Sequence, residues 1–370
     1  MSKVRAAVMD RVNGEVTVEI KEFLEPALEE GAVLLKTIYS EVCGTDVHLF
    51  HGQLAEVPYP IIPGHINVGI IDKINGDVCD IEGNAFHRGD AVTFLDVHET
   101  CNKCWYCLVA KATTRCPNRK VYGITYSAKD GLLGGWSQKI YLKPGVKIIK
   151  LPPQLQPIDF IAGGCGAPTG LHAVERATIK LDDNVVIQGS GPVGLSAAIF
   201  SILSGAGSVI VVDPSENRLE IARQMGVDYT IGETTGEGRV NAVLDLTNGR
   251  GADVTIEASG NPKAVSEGMD MTRDKGTYVV VGQYTDAGDI SINPHWQVNK
   301  KHLDMRGTWG IDYSHIHKTV RLMAKHKERF PWRKFVSKVY SLDEVGAALS
   351  DVESLRIMKA AIAPNEDFSK

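Results

Sequence analysis

The second half of the chain alternates short apolar segments with segments of helical length. Apolar runs occur at Val185–Gln188, Val209–Asp213 and Val254–Ala258. Helix-like segments, including Val193–Leu203 and Glu216–Met225, separate these runs. Continuous apolar strands that alternate with helices are typical of a parallel sheet with helices on both faces. The pattern therefore predicts a doubly wound, parallel-sheet α/β domain in this half of the chain.

The first half has a different sequence pattern, in which short apolar runs are interrupted by glycine and proline. Runs of this length, ended by turn-forming residues, are typical of strands in an irregular, β-rich domain. A chain of 370 residues is also longer than one ordinary hydrophobic core supports, so two domains are expected. The predicted strands of the first domain are Val33–Ile38, Val68–Ile74, Ala91–Leu95, Lys139–Leu142 and Val146–Leu151.

Composition and charge argue against several classes of function. The formal net charge of −5 leaves no basic surface for a phosphate backbone, so nucleic-acid binding is not expected. No segment approaches the ~20 apolar residues of a membrane span, and residues 1–10 lack the apolar run of a signal peptide. The seven cysteines lie between Cys43 and Cys165, an odd, clustered set that favours metal thiolates over disulfides. We therefore expect a cytoplasmic protein with no membrane or nucleic-acid partner.

A glycine-rich turn follows the first strand of the predicted parallel sheet. Val185–Gln188 runs directly into Gly189–Gly194, a segment that matches the pattern G-x-G-x-x-G. The first glycine of such a turn permits the bend, the second lets the backbone approach a pyrophosphate, and the third allows close helix–strand packing. The next helix offers its free N–H groups to the phosphates. The predicted cofactor-binding residues of the turn are Gly189, Gly191, Pro192, Val193 and Gly194.

The second predicted strand ends at Asp213, nineteen residues beyond Gly194. A carboxylate at this place accepts both ribose hydroxyls of NAD and repels the additional phosphate of NADP. A solvated aspartate at a strand end would look the same, but the strand, glycines, helix and acid together favour NAD binding. Arg218, a few residues further on, is expected either to flank the adenosine or to be an ordinary surface arginine.

Four cysteines are close enough in sequence to bind one metal ion: Cys101, Cys104, Cys107 and Cys116. Four sulfurs at tetrahedral geometry satisfy a zinc ion completely and leave no open position, as in structural zinc sites. The alternatives are a thiol–disulfide pair and a nucleic-acid zinc ribbon. The acidic composition and the absence of a second, basic knuckle argue against both, so we predict a structural zinc site.

Three further metal-ligand residues are dispersed along the chain. Cys43 begins the segment Cys-Gly-Thr-Asp, His65 follows a glycine, and Cys165 stands between two glycines. Two thiolates and an imidazole neutralise a zinc ion and leave its fourth position for water or substrate, as in catalytic zinc sites. Taken singly, each residue also fits a buried thiol or a turn histidine, and spacing alone does not assemble them.

Together, these residues resemble the zinc-dependent medium-chain alcohol dehydrogenases over nearly the whole chain. The resemblance implies a GroES-like catalytic domain over residues 1–165, a Rossmann domain over residues 166–306, and a return of residues 307–370 to the first domain. It also implies two zinc ions per chain, NAD as the cofactor, an alcohol or carbonyl substrate, and a homodimer or homotetramer. Besides the zinc and dinucleotide motifs, the segments that carry it are Gly134–Trp136, Gly164–Gly166 and Glu257–Gly260.

The resemblance also implies roles for individual residues. Cys43, His65 and Cys165 match the catalytic zinc ligands of the family. Thr45 matches the hydroxyl that takes the alcohol proton, and His48 matches the histidine that passes this proton to solvent. The remaining matches are Asp46, with the carboxylate that orients the zinc-bound histidine, and Arg356, with the C-terminal arginine that reaches the cofactor pyrophosphate.

Two positions depart from the family pattern. Family members usually have glutamate directly after the zinc-bound histidine, whereas this chain has Ile66, which offers no donor atom. The four-cysteine segment has eight residues before Cys116, one more than is usual, which a loop should absorb without changing the coordination. Because the three catalytic ligands remain, we still expect a zinc enzyme. The competing hypotheses are a zinc-free reductase of the same fold and a non-catalytic NAD-binding sensor.

The sequence leaves the substrate undefined. If Asp96, His98 or His51 faces the substrate, a polar alcohol is favoured over a hydrocarbon one. Apolar residues that follow the first zinc motif would line the substrate pocket or pack in an ordinary core; they are Phe50, Leu54, Val57 and Tyr59.

Overall fold

The structure is a computed structural model that describes residues 2–368. Its contacts divide it into two compact units, each described here by itself. The first unit contains residues 2–164, 312–325 and 332–368, and the second contains residues 165–311 and 326–331. No helix among the described residues combines the length and the apolar content that a membrane crossing requires.

The secondary structure elements are numbered in chain order. The strands are β1 (Lys3–Val12), β2 (Glu15–Leu24), β3 (Val33–Val42), β4 (Asn67–Ile74), β5 (Ala91–Phe94), β6 (Val97–Glu99), β7 (Lys120–Val121), β8 (Lys139–Leu142), β9 (Ile148–Lys150), β10 (Asn184–Gln188), β11 (Ser208–Val212), β12 (Tyr229–Ile231), β13 (Ala252–Glu257), β14 (Thr272–Val280), β15 (Asp304–Gly307), β16 (Lys338–Ser341) and β17 (Ala360–Ala363). The α-helices are α1 (Gly44–Phe50), α2 (Trp105–Leu108), α3 (Pro157–Gly163), α4 (Gly166–Ala177), α5 (Pro192–Leu203), α6 (Glu216–Gln224), α7 (Gly236–Leu246), α8 (Pro262–Met271), α9 (Tyr313–Lys325) and α10 (Val345–Glu353).

The first two strands form an antiparallel hairpin that the sequence analysis did not anticipate. Val12 pairs with Glu15 across a two-residue turn made of Asn13 and Gly14. Both turn residues have positive φ, 54° and 91°, which the favoured two-residue hairpin turns require. Asn-Gly between alternating residues is itself a strong hairpin signal, so the sequence did contain the information.

The first unit is built on a seven-stranded sheet in the order β16-β17-β3-β4-β5-β9, with β8 also paired to β3. All five predicted strands of this half are present in the sheet. The pairing of β17 with β3 is antiparallel and sets Ala361 opposite Glu41. It therefore brings the end of the chain beside the strand that leads into Cys43.

The second unit contains a six-stranded sheet in the order β12-β11-β10-β13-β14-β15, in which every pairing is parallel. The central strand β10 is buried, with Val185, Val186 and Ile187 fully inaccessible to solvent. Burial on both faces is why this strand is apolar at consecutive positions rather than at alternate ones. The predicted doubly wound parallel sheet is thus confirmed.

The last stretch of the chain is shared between the two units. The sequence analysis expects residues 307–370 to return to the first domain. By their contacts, residues up to 311 and residues 326–331 group with the second unit. The helix α9 lies between these two stretches and groups with the first unit. Its apolar positions follow a helical period, and it buries Ile316, Val320 and Met323 on one face.

Candidate active site

The three dispersed ligand candidates lie together in the structure. The donor atoms of Cys43, His65 and Cys165 are all within 4.8 Å of one another. His65 is 6% exposed, whereas both cysteines are partly accessible. Cys43 and Cys165 occupy the positions just before α1 and α4, where the free N–H groups of a helix stabilise negative charge on a thiolate. The arrangement suits two thiolates and one imidazole.

Glycines allow the chain around His65 to pack without intervening side chains. A Cβ on Gly135 would lie 1.5 Å from Asn67 Oδ1, and one on Gly123 would lie 2.7 Å from the carbonyl carbon of Gly64. The Asn67 side chain, in turn, donates from Nδ2 to the carbonyl oxygen of Gly64 at 3.0 Å. This packing holds the backbone of His65 in place.

The position of Cys165 follows from the glycine that precedes it. Gly164 has a φ of +48°, a left-handed conformation that side chains rarely adopt. A Cβ at this position would lie 2.2 Å from Glu41 Oε2. Because Glu41 is two residues before Cys43, the close approach of Gly164 brings Cys165 near the first ligand.

Charge around His65 is strongly perturbed by burial and by its neighbours. Burial opposes protonation of His65, but the Cys43 thiolate, together with Asp46 and Asp96, raises the pKa of His65 to about 10. Burial, and then the Cys43 thiolate, raises the pKa of Asp46 well above its usual range. Burial likewise raises the pKa of Asp96. Burial therefore disfavours the charged forms of both carboxyl groups, and a nearby cation would favour them.

Asp46 does not make the hydrogen bond to His65 that its expected role requires. Its Oδ2 accepts a hydrogen bond from the backbone N–H of Cys43 at 2.9 Å. Asp46 Oδ1 and His65 Nδ1 are both buried and have no hydrogen-bond partner. Asp46 thus holds the backbone of Cys43, the residue before α1, and its charge raises the pKa of His65.

The chemistry of this donor set fits a zinc ion. Zn–S bonds of about 2.3 Å and Zn–N bonds of about 2.1 Å at tetrahedral angles place sulfur and nitrogen about 3.6 Å apart. Cys43 Sγ and His65 Nε2 are separated by 3.9 Å, close to this distance. The thiol of Cys165, the second in the set, completes three protein ligands, which is the number found in catalytic zinc sites.

The four clustered cysteines also converge. The sulfur atoms of Cys101, Cys104, Cys107 and Cys116 lie within 4.8 Å of one another. Cys104 Sγ and Cys107 Sγ are 3.5 Å apart, and Cys116 Sγ accepts a hydrogen bond from the backbone N–H of Cys101. A hydrogen bond from the backbone N–H of Lys103 lowers the pKa of Cys101 to about 6, which favours its thiolate. Four thiols at these separations fit a closed zinc site.

The two residues expected to carry the proton lie on α1, directly after Cys43. Thr45 and His48 are three residues apart, so they share one face of the helix. Both are partly exposed, and His48 Nδ1 lies 2.5 Å from Gln53 Oε1. The sequence analysis missed Gln53, which has no motif of its own and is recognisable only from the turn that follows α1.

The residues considered for substrate recognition are mostly engaged elsewhere. His98 Nδ1 contacts the Tyr126 hydroxyl at 2.7 Å, and His98 Nε2 contacts the carbonyl oxygen of Pro144 at 3.1 Å. His51 forms an exposed ion pair with Glu353. Asp96 is 5% exposed, and its Oδ1 has no hydrogen-bond partner. Partly buried apolar residues pack against a core cluster of the first unit; they include Phe50, Leu54, Val57 and Tyr59.

The glycine-rich turn of the second unit has the geometry of a dinucleotide loop. Gly189 has a φ of +92°, and a Cβ on Gly194 would lie 1.9 Å from the carbonyl oxygen of Gly189. A Cβ on Gly191 would meet no atom within 4 Å, so the space beside it is open for a bound group. Pro192 is the first residue of α5, where its missing N–H costs no hydrogen bond. Val193 follows it in the first turn.

Asp213 lies at the carboxyl end of β11, next to this turn. Its Oδ2 accepts a hydrogen bond from the backbone N–H of Ser190 at 2.7 Å, and its Oδ1 accepts one from Ser215 at 2.8 Å. The carboxylate is 5% exposed. It is therefore held at the position where the acidic residue of a dinucleotide fold contacts a ribose.

The two expected cofactor arginines differ in their surroundings. Arg218 lies in the first turn of α6 and is partly exposed. Arg356 is exposed; its Nη2 pairs with Asp351 Oδ1 at 3.0 Å, and its Nε donates to Ser354 Oγ at 2.8 Å. These two contacts hold Arg356 within the first unit.

The chain is similar to known proteins along nearly its whole length. Residues 29–153 match the alcohol dehydrogenase GroES-like domain, and residues 192–325 match the zinc-binding dehydrogenase domain. A 5-exo-hydroxycamphor dehydrogenase from Pseudomonas putida is 33% identical over 98% of this chain and 99% of its own. An L-threonine 3-dehydrogenase from Pyrococcus abyssi is 30% identical over 84% of each chain.

Solved structures give the same result. The crystal structure of an alcohol dehydrogenase from Thermotoga maritima superposes with a TM-score of 0.93 at 32% identity. The match covers 99% of this chain and 100% of that one. The chain therefore belongs to the zinc-dependent medium-chain alcohol dehydrogenase family and is an oxidoreductase that interconverts alcohols and carbonyl compounds with a nicotinamide cofactor.

Proposed function

We propose that this dehydrogenase oxidises a secondary alcohol of largely hydrocarbon character to a ketone, with NAD as the hydride acceptor. The observation that carries the proposal is the convergence of Cys43, His65 and Cys165 within 4.8 Å. A zinc-free reductase or a sensor has no need for this donor set. We further propose two zinc ions per chain, the second held by the four-cysteine cluster.

The protein residues would hold the reacting groups and conduct the proton. Zinc supplies Lewis acidity toward the alcohol oxygen when it is bound by Cys43, His65 and Cys165, and the nicotinamide accepts or donates the hydride. The Thr45 hydroxyl is both donor and acceptor, so it can take the alcohol proton while it releases its own. Gln53 Oε1 accepts a hydrogen bond from His48 Nδ1, which leaves His48 Nε2 free to accept the proton.

The choice of NAD over NADP rests on Asp213. Its carboxylate is fixed by two backbone N–H groups beside the glycine-rich turn. Negative charge at this position attracts ribose hydroxyls and repels the additional phosphate of NADP. The turn itself would receive the pyrophosphate, in the open space next to Gly191. Arg218 and Arg356 are proposed as further cofactor contacts.

The substrate class rests on two observations. A relative that matches 98% of this chain acts, by its name, on hydroxycamphor, which is a secondary alcohol on a bicyclic ketone. In addition, His98 and His51 are occupied by Tyr126 and Glu353 and are not available to a polyol. Both favour a secondary alcohol on a largely hydrocarbon skeleton over a polyol.

We extend the proposal to organisation and location. Residues 1–165 with 307–370 would form the catalytic domain, and residues 166–306 the cofactor domain. A homodimer or homotetramer is proposed, supported by the exposed apolar side chains of Ile290 and Ile292 in the second unit. A cytoplasmic location is supported by the seven cysteines, none of which forms a disulfide in the described part of the chain.

Metal analysis and a substrate panel test the function together. Metal analysis should find two zinc ions per chain. A bicyclic secondary alcohol with NAD should give a rapid increase in absorbance at 340 nm, whereas a polyol, an amino alcohol and a primary alcohol should be turned over much more slowly. Cys43→Ala should lose one zinc and all turnover yet still bind NAD, whereas the matched control Cys79→Ala, at an exposed thiol, should change neither. Full zinc content and turnover in Cys43→Ala would overturn the proposal.

A further inference from the structure

A fully buried ion pair in the first unit joins the end of β3 to the residue that precedes β17. Glu41 lies in β3 and Lys359 directly precedes β17, and each side chain is only 1% exposed. Lys359 Nζ and Glu41 Oε1 are 2.7 Å apart. Two buried charges lose their hydration, and their attraction repays this loss only when further hydrogen bonds satisfy both groups. The hydrogen bonds of Glu41 and Lys359 therefore show which segments of the chain the ion pair connects.

The contacts of Glu41 reach two of the three ligand-bearing segments. Glu41 is two residues before Cys43, and its backbone N–H donates to the carbonyl oxygen of Ile66 at 3.0 Å. Ile66 directly follows His65. The carbonyl oxygen of Glu41 also accepts a hydrogen bond from Trp136 Nε1 at 3.1 Å, and that indole is completely buried. Glu41 is thus held rigidly between Cys43 and His65.

The contacts of Lys359 reach the third segment. Lys359 Nζ donates to the carbonyl oxygens of Gly163 at 3.1 Å and of Ile161 at 3.4 Å, at the end of α3. A Cβ on Gly164 would lie 2.5 Å from Lys359 Nζ and 2.2 Å from Glu41 Oε2. The ion pair therefore packs directly against the glycine that precedes Cys165.

We propose that Glu41 and Lys359 are positioning residues that hold the segments of Cys43, His65 and Cys165 in the geometry of a metal site. The inference rests on the proposed function, because it needs these three residues to be zinc ligands. Glu41 is a buried carboxylate on β3, whereas Ile66, directly after His65, offers no charged group. Neither residue touches substrate in this role; they act through the backbone of the ligand segments.

Release of zinc to a chelator, followed by a colorimetric indicator, tests the proposal independently of turnover. The main variant is Glu41→Gln/Lys359→Met, which keeps side-chain size but leaves no unpaired buried charge. Lys359→Met alone would strand the carboxylate and is expected to be the less stable of the two. We expect the double variant to lose one of its two zinc ions at least tenfold faster than the unaltered enzyme, while the four-cysteine zinc is released at an unchanged rate. Cobalt that replaces zinc at the faster-releasing site of the double variant should give a visible absorption spectrum shifted from that of cobalt at the same site of the unaltered enzyme.

Two comparisons separate positioning from simple stability. Lys139 of β8 forms partly buried ion pairs, at 2.6 Å to Glu25 and 2.6 Å to Asp72, and neither partner belongs to a ligand-bearing segment. Lys139→Met should therefore lower the unfolding temperature without changing zinc release or the cobalt spectrum. A folded double variant with unaltered release and spectrum would overturn the proposal. If Cys43→Ala retained both zinc ions, the proposed ligand set itself would be wrong.

Discussion

The charge of Asp213 offers the sharpest test of how this protein selects its cofactor. Replacing Asp213 with asparagine keeps the size and one acceptor oxygen but removes the negative charge. In the structure, the two carboxylate oxygens accept from Ser190 and Ser215 at 2.7 and 2.8 Å. The asparagine can satisfy only one of these N–H groups, since its second terminal atom is itself a donor.

The substitution should affect both the stability of the protein and its preference between NAD and NADP. A hydrogen bond to a charged acceptor contributes about 1.5–3 kcal/mol, so loss of one should lower the free energy of unfolding by about 2 kcal/mol. Two unit charges about 4 Å apart near a protein surface interact by about 4 kcal/mol. Removal of the charge should therefore raise the preference for NADP relative to NAD by up to about three powers of ten.

Steady-state kinetics with each cofactor measure this change as the ratio of kcat/KM for NADP to that for NAD. Asp228→Asn is the matched control, because Asp228 accepts from the backbone N–H of Val209 at 2.8 Å, at the start of the same strand. This control should cost stability but leave the cofactor ratio unchanged. A folded Asp213→Asn enzyme with an unaltered ratio would refute the reasoning that its carboxylate selects NAD.

Four other perturbations have defined outcomes. Gly194→Ala places a Cβ 1.9 Å from a backbone carbonyl oxygen and should lower the free energy of unfolding, measured in urea, by about 1–3 kcal/mol. Gly191→Ala places its Cβ in open space, so it should weaken only NAD binding, which calorimetry measures. Cys107→Ser should release one zinc and lower the unfolding temperature, while the folded enzyme keeps its turnover. Gln53→Leu removes the hydrogen-bond partner of His48, the proposed proton carrier, and should lower kcat about tenfold without changing zinc content. Hydrogen bonds from Lys139 and Lys73 lower the pKa of Glu25 from 4.5 to about 2. Glu25→Gln should therefore lower the free energy of unfolding by roughly 1 kcal/mol at pH 7. The difference in stability between variant and unaltered protein should vanish as the pH falls from 4.5 toward 2.

Local patterns predicted the second unit well. The alternation of apolar strands and helices, the glycine-rich turn and the acid after the second strand all depend on neighbours within about 30 residues. The bend at Gly189 and the close packing at Gly194 have the reasons that the motif implied. In the first unit, the hairpin at Asn13 and Gly14 was missed although its turn signal was present.

The metal sites show where sequence reasoning reaches its limit. The four-cysteine cluster is compact in sequence, so its spacing alone indicates a zinc site. Cys43, His65 and Cys165 have no informative spacing, and only the family resemblance grouped them. The role expected for Asp46 stays a prediction, and in the structure its carboxylate accepts a hydrogen bond from the backbone of Cys43. A hydrogen bond of this kind depends on side-chain direction, which a motif does not specify.

The sequence by itself determined the fold class, the dinucleotide turn and the identity of the donor residues, because each depends on periodicity or on residue chemistry at short range. Only the tertiary structure decided which distant groups meet, as Lys359 meets Glu41 next to the ligand segments. Such contacts are made by strand pairing and by glycines that let backbones approach. Their partners are far apart in the chain, so no local pattern encodes them.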